Sequence, residues 1–260
     1  MTSTGRAGLV IAVDGPSGSG KSSAARGAAR ALGLRYLDTG AMYRAVTLWM
    51  LRHGVDVADP AAVAASAQRP VIEIGTDPDE PGGPAVLLDG AVVTGAIRSR
   101  EVSNAVSAVS AVPEVRARLV AMQRAIIAGS VDPARTSREA GGPSREHGGL
   151  SREHGGRAGI VVEGRDIGTV VVPEAPVKVF LTASEATRAE RRTRDMAADP
   201  AATLSVTQQE LTRRDRLDST RVASPLLKAD DAVEIDSTQL SLDEVIAQIV
   251  ALAQERAVSA

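Results

Sequence analysis

Gly15-Pro16-Ser17-Gly18-Ser19-Gly20-Lys21-Ser22 matches G-x-x-x-x-G-K-[ST] at every fixed position. The glycines let successive backbone N–H groups turn inward around a phosphate, and a helix starting at Lys21 adds its positive end. Lys21 can then reach the β and γ oxygens of a bound triphosphate, while the Ser22 hydroxyl can hold Mg²⁺. A chance glycine turn carrying Lys-Ser is the plain alternative. It is disfavoured because the motif falls between an apolar run, Gly8 to Asp14, that reads as a buried strand, and an Ala-rich run, Lys21 to Leu32, that reads as a helix stopped by Gly33.

A phosphate loop alone does not name a reaction, since switches, motors and kinases share it. A guanine-reading switch needs Asn-Lys-x-Asp, and the nearest string, Leu227-Lys-Ala-Asp230, lacks the Asn. A motor ATPase needs a long apolar strand ending in Asp or Asp-Glu, whereas Ile160-Val-Val-Glu-Gly-Arg-Asp166 ends in mixed charge. Instead, arginine recurs beside glycine and carboxylate in Asp38-Thr-Gly-Ala-Met-Tyr-Arg44, in Glu163-Gly-Arg-Asp166 and in Arg213 to Arg221. Phosphoryl transfer between two phosphates needs several cations converging on the transferred group, and arginines so spread could supply them. Taken alone, Arg188-Ala-Glu-Arg-Arg-Thr-Arg194 reads as a solvated helix face with i,i+4 ion pairs.

These residues need a rigid frame. Further core strands are expected at Gly159 to Glu163, Val177 to Leu181 and Ala232 to Asp236, between helical segments, which makes an α/β sheet. Ser241 to Arg256 reads as an amphipathic helix with Leu242, Val245, Ile246, Ile249 and Leu252 on one face. Val71 to Ile74 and Ala85 to Val93, around a Pro/Gly loop, read as a small β insert, and Ile97 to Ala128 as helix broken near Pro113. The chain holds 30 Lys and Arg against 32 Asp and Glu, so any anion site is local and no nucleic-acid partner is expected. Only Lys21, Lys178 and Lys228 are lysines, which fits coding bias and also suits bidentate phosphate binding by Arg. Zero cysteines exclude disulfides, a thiolate nucleophile and a cysteine-rich zinc site, and fit a reducing cytoplasm. The apolar stretch Leu9 to Val13 is too short for a signal peptide or a membrane span, so no membrane partner is expected.

With the phosphate loop, the blocks Leu37 to Arg44, Ile97 to Asn104, Glu163 to Val171, Ala175 to Leu181, Arg214 to Asp218 and Ile235 to Thr238 resemble, in order, the bacterial cytidylate kinases. These are P-loop nucleoside monophosphate kinases. The resemblance implies an α/β fold: a P-loop NTPase-type core with a mainly parallel sheet flanked by helices, a small inserted monophosphate-binding subdomain and a short lid. It places the core at about 1–60 and 158–260, the insert at about 61–130 and the lid at about 185–200 of one domain spanning 1–260. The implied activity moves the γ-phosphoryl group of ATP to CMP or dCMP, with Mg²⁺, in a cytoplasmic monomer. A kinase of another small acceptor such as UMP, or a nucleotide-dependent switch, is the alternative.

By the same resemblance Gly15, Pro16, Ser17, Gly18, Ser19, Gly20, Lys21, Ser22 and Ser23 bind ATP, with Ser22 on the metal. Lys21, Arg188 and Arg192 would act on the transferring phosphoryl group. Thr39, Asp166, Arg116 and Arg221 would contact cytosine, with Ser107 beside them. Arg44, Arg165 and Arg214 would hold the CMP phosphate, and Asp218 would accept from a sugar hydroxyl. Many relatives carry Ser at the position of Thr39; the hydroxyl is kept.

Ser137 to Arg157 stands apart as three tandem units of seven, each with Ser-Arg-Glu and paired glycines. With almost nothing apolar to bury, it reads as a flexible surface loop over 131–157, a peripheral insertion. His147 and His154 lack carboxylate or thiolate help at set spacing for a metal.

Overall fold

The apolar runs become the inner strands of one sheet. In this computed structural model, residues 8–132, 158–196 and 203–259 are described. β1 (Leu9–Asp14) lies at the centre, between β6 (Gly159–Gly164) and β7 (Val177–Thr182), with β2 (Arg35–Asp38) and β8 (Val233–Asp236) at the edges. Every pairing in this five-stranded sheet, β2-β6-β1-β7-β8, is parallel. Parallel strands covered on both faces read as unbroken apolar runs, and Ile11, Ala12 and Val13 are fully buried.

One face is covered by α1 (Lys21–Leu32) and the C-terminal helix, which runs Leu242–Ser259. Ala24, Ala25, Ala28 and Ala29 bring α1 close to the strands. Gly27 does the same toward the C-terminal helix, since a Cβ there would overlap the Ile246 side chain. That helix buries Val245, Ile249 and Ala253 at i,i+4 spacing, whereas Leu242, expected on the same face, is 47% exposed. The other face takes α2 (Thr39–Arg52), α4 (Arg100–Ala111) and α5 (Pro113–Val131), with the short α3 (Pro60–Ser66). Asp38 caps α2, its Oδ1 accepting from Ala41 N at 3.0 Å.

The expected insert forms β3 (Ile72–Ile74), β4 (Val86–Leu88) and β5 (Ala91–Val92), antiparallel in that order. Its β4–β5 turn uses Asp89 at φ 50° and Gly90 at φ 80°, the primed geometry of a two-residue hairpin. Asp89 is held there by Trp49 Nε1 and Val71 N, both at 2.8 Å. Ile72, Val86 and Leu88 belong to the same apolar cluster as Leu37, Ile160 and Val162, so the insert shares the core of the parallel sheet. The helix break expected near Pro113 falls there, with Pro113 opening α5.

Two further helices complete the site: α6 (Glu185–Asp195) and α7 (Leu204–Thr220), after which the C-terminal helix is α8. A π-helical segment, Ile167–Val171, follows β6. The tandem units of 137–157, with His147 and His154, and the last part of the expected lid, 197–200, lie outside the described residues.

Candidate active site

The loop between β1 and α1 takes backbone shapes that only glycine reaches cheaply. Gly15 has φ 147° with the Leu181 carbonyl oxygen where a Cβ would be, and Gly20 caps α1 at φ 88°. Lys21 Nζ donates to Pro16 O at 2.6 Å and lies 3.5 Å from Ser19 Oγ, so the ammonium lies across its own loop. Burial lowers its pKa to about 7, helped by nearby Arg165 and opposed by Glu163 and Asp14.

Glu163, at the end of β6, is buried and lines the same cavity. Tyr36 donates to its Oε1 at 2.5 Å, and burial pushes its pKa up to about 7 despite Lys21 and the hydroxyls of Tyr36 and Ser22. Sequence reasoning assigned Glu163 no role, although it is the carboxylate of Glu163-Gly-Arg-Asp166, one strand away from the phosphate loop.

The arginine-rich segments converge from four elements. Arg116 of α5 is ion-paired with Asp166, both buried, and its Nη1 donates to Ser110 O at 3.2 Å. Its guanidinium lies 5.4 Å from the Tyr43 ring centre. Arg221, just past α7, approaches Asp166 at 3.9 Å and Asp218 at 4.0 Å. Arg165 Nε donates to Asp218 Oδ2 at 3.0 Å, and Arg165, Arg214 and Arg221 hold the Asp218 carboxyl below its ordinary range against burial. Thr39 Oγ1 donates to Glu163 O at 2.7 Å. Arg44 donates to Ser103 Oγ at 2.8 Å and Ile97 O at 3.3 Å. Arg44 is held well below the ordinary guanidinium range by burial, then by Arg214 and Arg192, and Arg214 falls to about 10 through burial and Arg165. Like charges crowded in this way are relieved by an anion among them.

The lid helix α6 divides its arginines. Arg188, expected on the transferring phosphoryl group, is not among the residues lining the cavity: it is ion-paired with Asp215 and donates to Ser17 O at 3.1 Å and Ala183 O at 3.2 Å. It is buried, so the solvated-face reading fails at this position as well. Arg192 does line the cavity, with Nη2 3.3 Å from Ser103 Oγ. Arg191 and Arg194 line it too and were missed; Arg191 grips Ser237 through Oγ at 2.9 Å and O at 2.7 Å. Arginines at 188, 191, 192 and 194, pairs of them three or four apart on one helix, were the available signal.

The phosphate loop and the arginine-rich segments meet around one cavity of about 540 Å³. Ser17 to Ser23 line one part, and Thr39, Arg44, Ser107, Arg116, Arg165, Asp166, Arg214, Asp218 and Arg221 line the other. Gly15 and Pro16 shape the loop from behind. No cluster of three or more His, Cys, Asp or Glu arranged for a metal occurs among the described residues. Mg²⁺ prefers oxygen ligands, keeps waters and leans on substrate phosphates, so the Ser22 hydroxyl beside Glu163 fits an ion that arrives with a triphosphate.

A strand, phosphate loop and helix opening a parallel sheet, joined in one cavity to a second, arginine-rich basin, define a P-loop nucleotide kinase. A family model described as cytidylate kinase matches residues 11–132 and 147–255, and the chain belongs to that family. It is 47% identical to the cytidylate kinase of Streptomyces griseus over 99% of this chain and 97% of that one. To those of Rhodococcus opacus and Mycobacterium leprae it is 48% and 45% identical, over 95% of this chain and 96% of each relative.

Proposed function

We propose that this protein transfers the γ-phosphoryl group of ATP to CMP or dCMP, giving ADP and CDP or dCDP. Beyond the family, the observation that carries the reading is Asp166, buried between Arg116 and Arg221 in the cavity that also holds Lys21. Cytosine offers an exocyclic amine beside a ring nitrogen and carbonyl that accept, which matches a carboxylate flanked by guanidinium donors. Uracil would present a carbonyl where the carboxylate needs a donor, leaving both unpaired.

In the reaction an oxygen of the acceptor phosphate attacks the γ-phosphorus as the bond to the ADP oxygen breaks. Lys21 and Arg192 would take the charge of the transferring group, and Arg44, Arg165 and Arg214 would fix the attacking phosphate in line. Asp218 would accept from a sugar hydroxyl. Mg²⁺, held by Ser22 and supported by Glu163, would neutralise triphosphate charge. Arg188 would steady the loop through Ser17 O while its ion pair with Asp215 lasts.

The protein is proposed to act as a cytoplasmic monomer with no nucleic-acid partner; no described helix is long and apolar enough to cross a membrane. A coupled assay with CMP, dCMP, UMP and AMP tests the reading. Turnover should be strong with the first two, and UMP turnover equal to or above that of CMP overturns the base assignment.

A further inference from the structure

The π-helical segment Ile167–Val171 begins directly after Arg165 and Asp166, so its orientation sets theirs. Helical segments start with orphan backbone N–H groups, and none of the neighbouring side chains of this segment caps them. The partner comes from far away in sequence: Asp14, the last residue of β1, accepts from Ile167 N through Oδ1 at 2.9 Å and from Gly168 N through Oδ2 at 2.7 Å. Asp14 is buried and sits immediately before the phosphate loop, in register with Gly164 on β6.

We infer that Asp14 is a positioning residue: by capping the π-segment with both carboxylate oxygens, it locks Arg165 and Asp166 in their cytidylate-binding orientation and ties the acceptor basin to the phosphate loop. The inference rests on the acceptor assignment proposed above. A two-oxygen cap fixes two successive amides, and with them the backbone of Asp166, held at φ −148° and ψ 25°. A displacement there would swing Asp166 off Arg116 and Arg165 off Asp218 together. Neither partner of Asp14 is a substrate atom, so its removal acts through Arg165 and Asp166. Lys21 from α1 and Asp166 itself are the charged groups that bear on Asp14, while the Lys178 stem from β7 packs beside Gly168.

Asp14→Asn keeps the shape but turns an amide N–H toward one backbone donor. The KM for CMP should rise about tenfold or more, while the KM for ATP moves less than about twofold and kcat falls by less than the CMP KM rises. In an Asp166→Ala background the same substitution should add less than it does alone, because one of the two residues it positions is gone. Equal rises for both nucleotides, or additive penalties in the double variant, overturn the inference. Should the variant fail to fold, the wild type carries the test. Burial raises the Asp14 pKa to about 6, so the Ile167 and Gly168 amide proton shifts should titrate there, and cytidine, which has no phosphate of its own to titrate, should bind more weakly below that pH. Ile167 and Gly168 amides that exchange with solvent as fast as exposed loop amides overturn the cap. They do so without substrate, whereas a failure of the wild type to phosphorylate CMP strikes only the acceptor assignment.

Discussion

Lys21 is held by opposing pulls: burial and Arg165 favour its neutral form, and Glu163 and Asp14 favour its charge. A triphosphate in the loop would add negative charge beside it and restore the ammonium, so ATP binding should take up a proton between pH 7 and about 9. Calorimetry in two buffers of different ionisation heat reads this uptake directly; none in the wild type, or the same uptake in Lys21→Ala, would contradict it. Lys21→Ala should also lower kcat by at least about a hundredfold with little change in the KM for CMP, since the acceptor basin does not use it. Asp166→Ala should raise the KM for CMP far more than that for ATP, by at least about tenfold, in line with about 1–3 kcal/mol for an unpaired buried donor. The role proposed for Lys21 came from motif spacing, and that for Asp166 only from the family resemblance. What could not be read was the rotamer, and with it which lid arginine faces inward: Arg188 turns to Asp215 because α7 places a carboxylate under it, a partner distant in sequence.

Among the elements, the join of α6 to the phosphate loop is the most exacting. Gly18 has φ 78°, and a Cβ there would lie 2.8 Å from Arg188 O, which is backbone and cannot swing aside. Gly18→Ala should therefore push the lid helix from the loop. The KM for ATP should rise by about tenfold and the melting temperature fall, with the KM for CMP less affected; an unchanged ATP affinity would show that α6 does not need this contact. Strands β1, β6 and β7 were readable because buried parallel strands leave apolar runs, whereas β8, an edge strand with only Ile235 buried, was read from its place between helical segments. β2 and α2 were not named, since β2 has four residues and only Tyr36 and Leu37 are fully covered. The π-segment was beyond reach, because i→i+5 pairing leaves no compositional mark and its cap comes from Asp14. Leu242 misled the face of α8 because its place is at the cavity rather than the core.

At the scale of the whole molecule, the buried ionisable groups make the nucleotide-free protein sensitive to pH in a defined direction. Asp14 and Glu163 have raised pKa values, about 6 and about 7, so the folded state holds their protons more tightly and stability falls as pH rises toward 7. Lys21, lowered to about 7, acts oppositely: above 7 the unfolded chain binds the extra proton, and stability rises toward the ordinary lysine range. Their joint contribution has its minimum near pH 7, so the melting temperature of the nucleotide-free protein should be lower at about pH 7 than at about pH 5.5 or about pH 9, and a steady rise from about pH 5.5 to 7 would contradict these assignments. The insertion should be neutral in the same measurements. Its flanks meet at one place: a Cβ on Gly8 would lie 2.6 Å from Val131 Cα, and Leu9 N donates to Ala158 O at 3.2 Å, so the chain leaves and re-enters the fold beside Gly8 and Leu9. The family match passes over 133–146, which contains the first of the tandem units. Excising 137–157 leaves 132–136 to close a short gap, and loop length changes closure entropy by only about 0.6 kcal/mol per doubling. The shortened protein should keep kcat and both KM values within about twofold and its melting temperature within a few degrees of the parent. Lost turnover, or a melting temperature that zinc raises in the parent alone, would assign the tandem units a part in the enzyme that the position of their flanks does not give them.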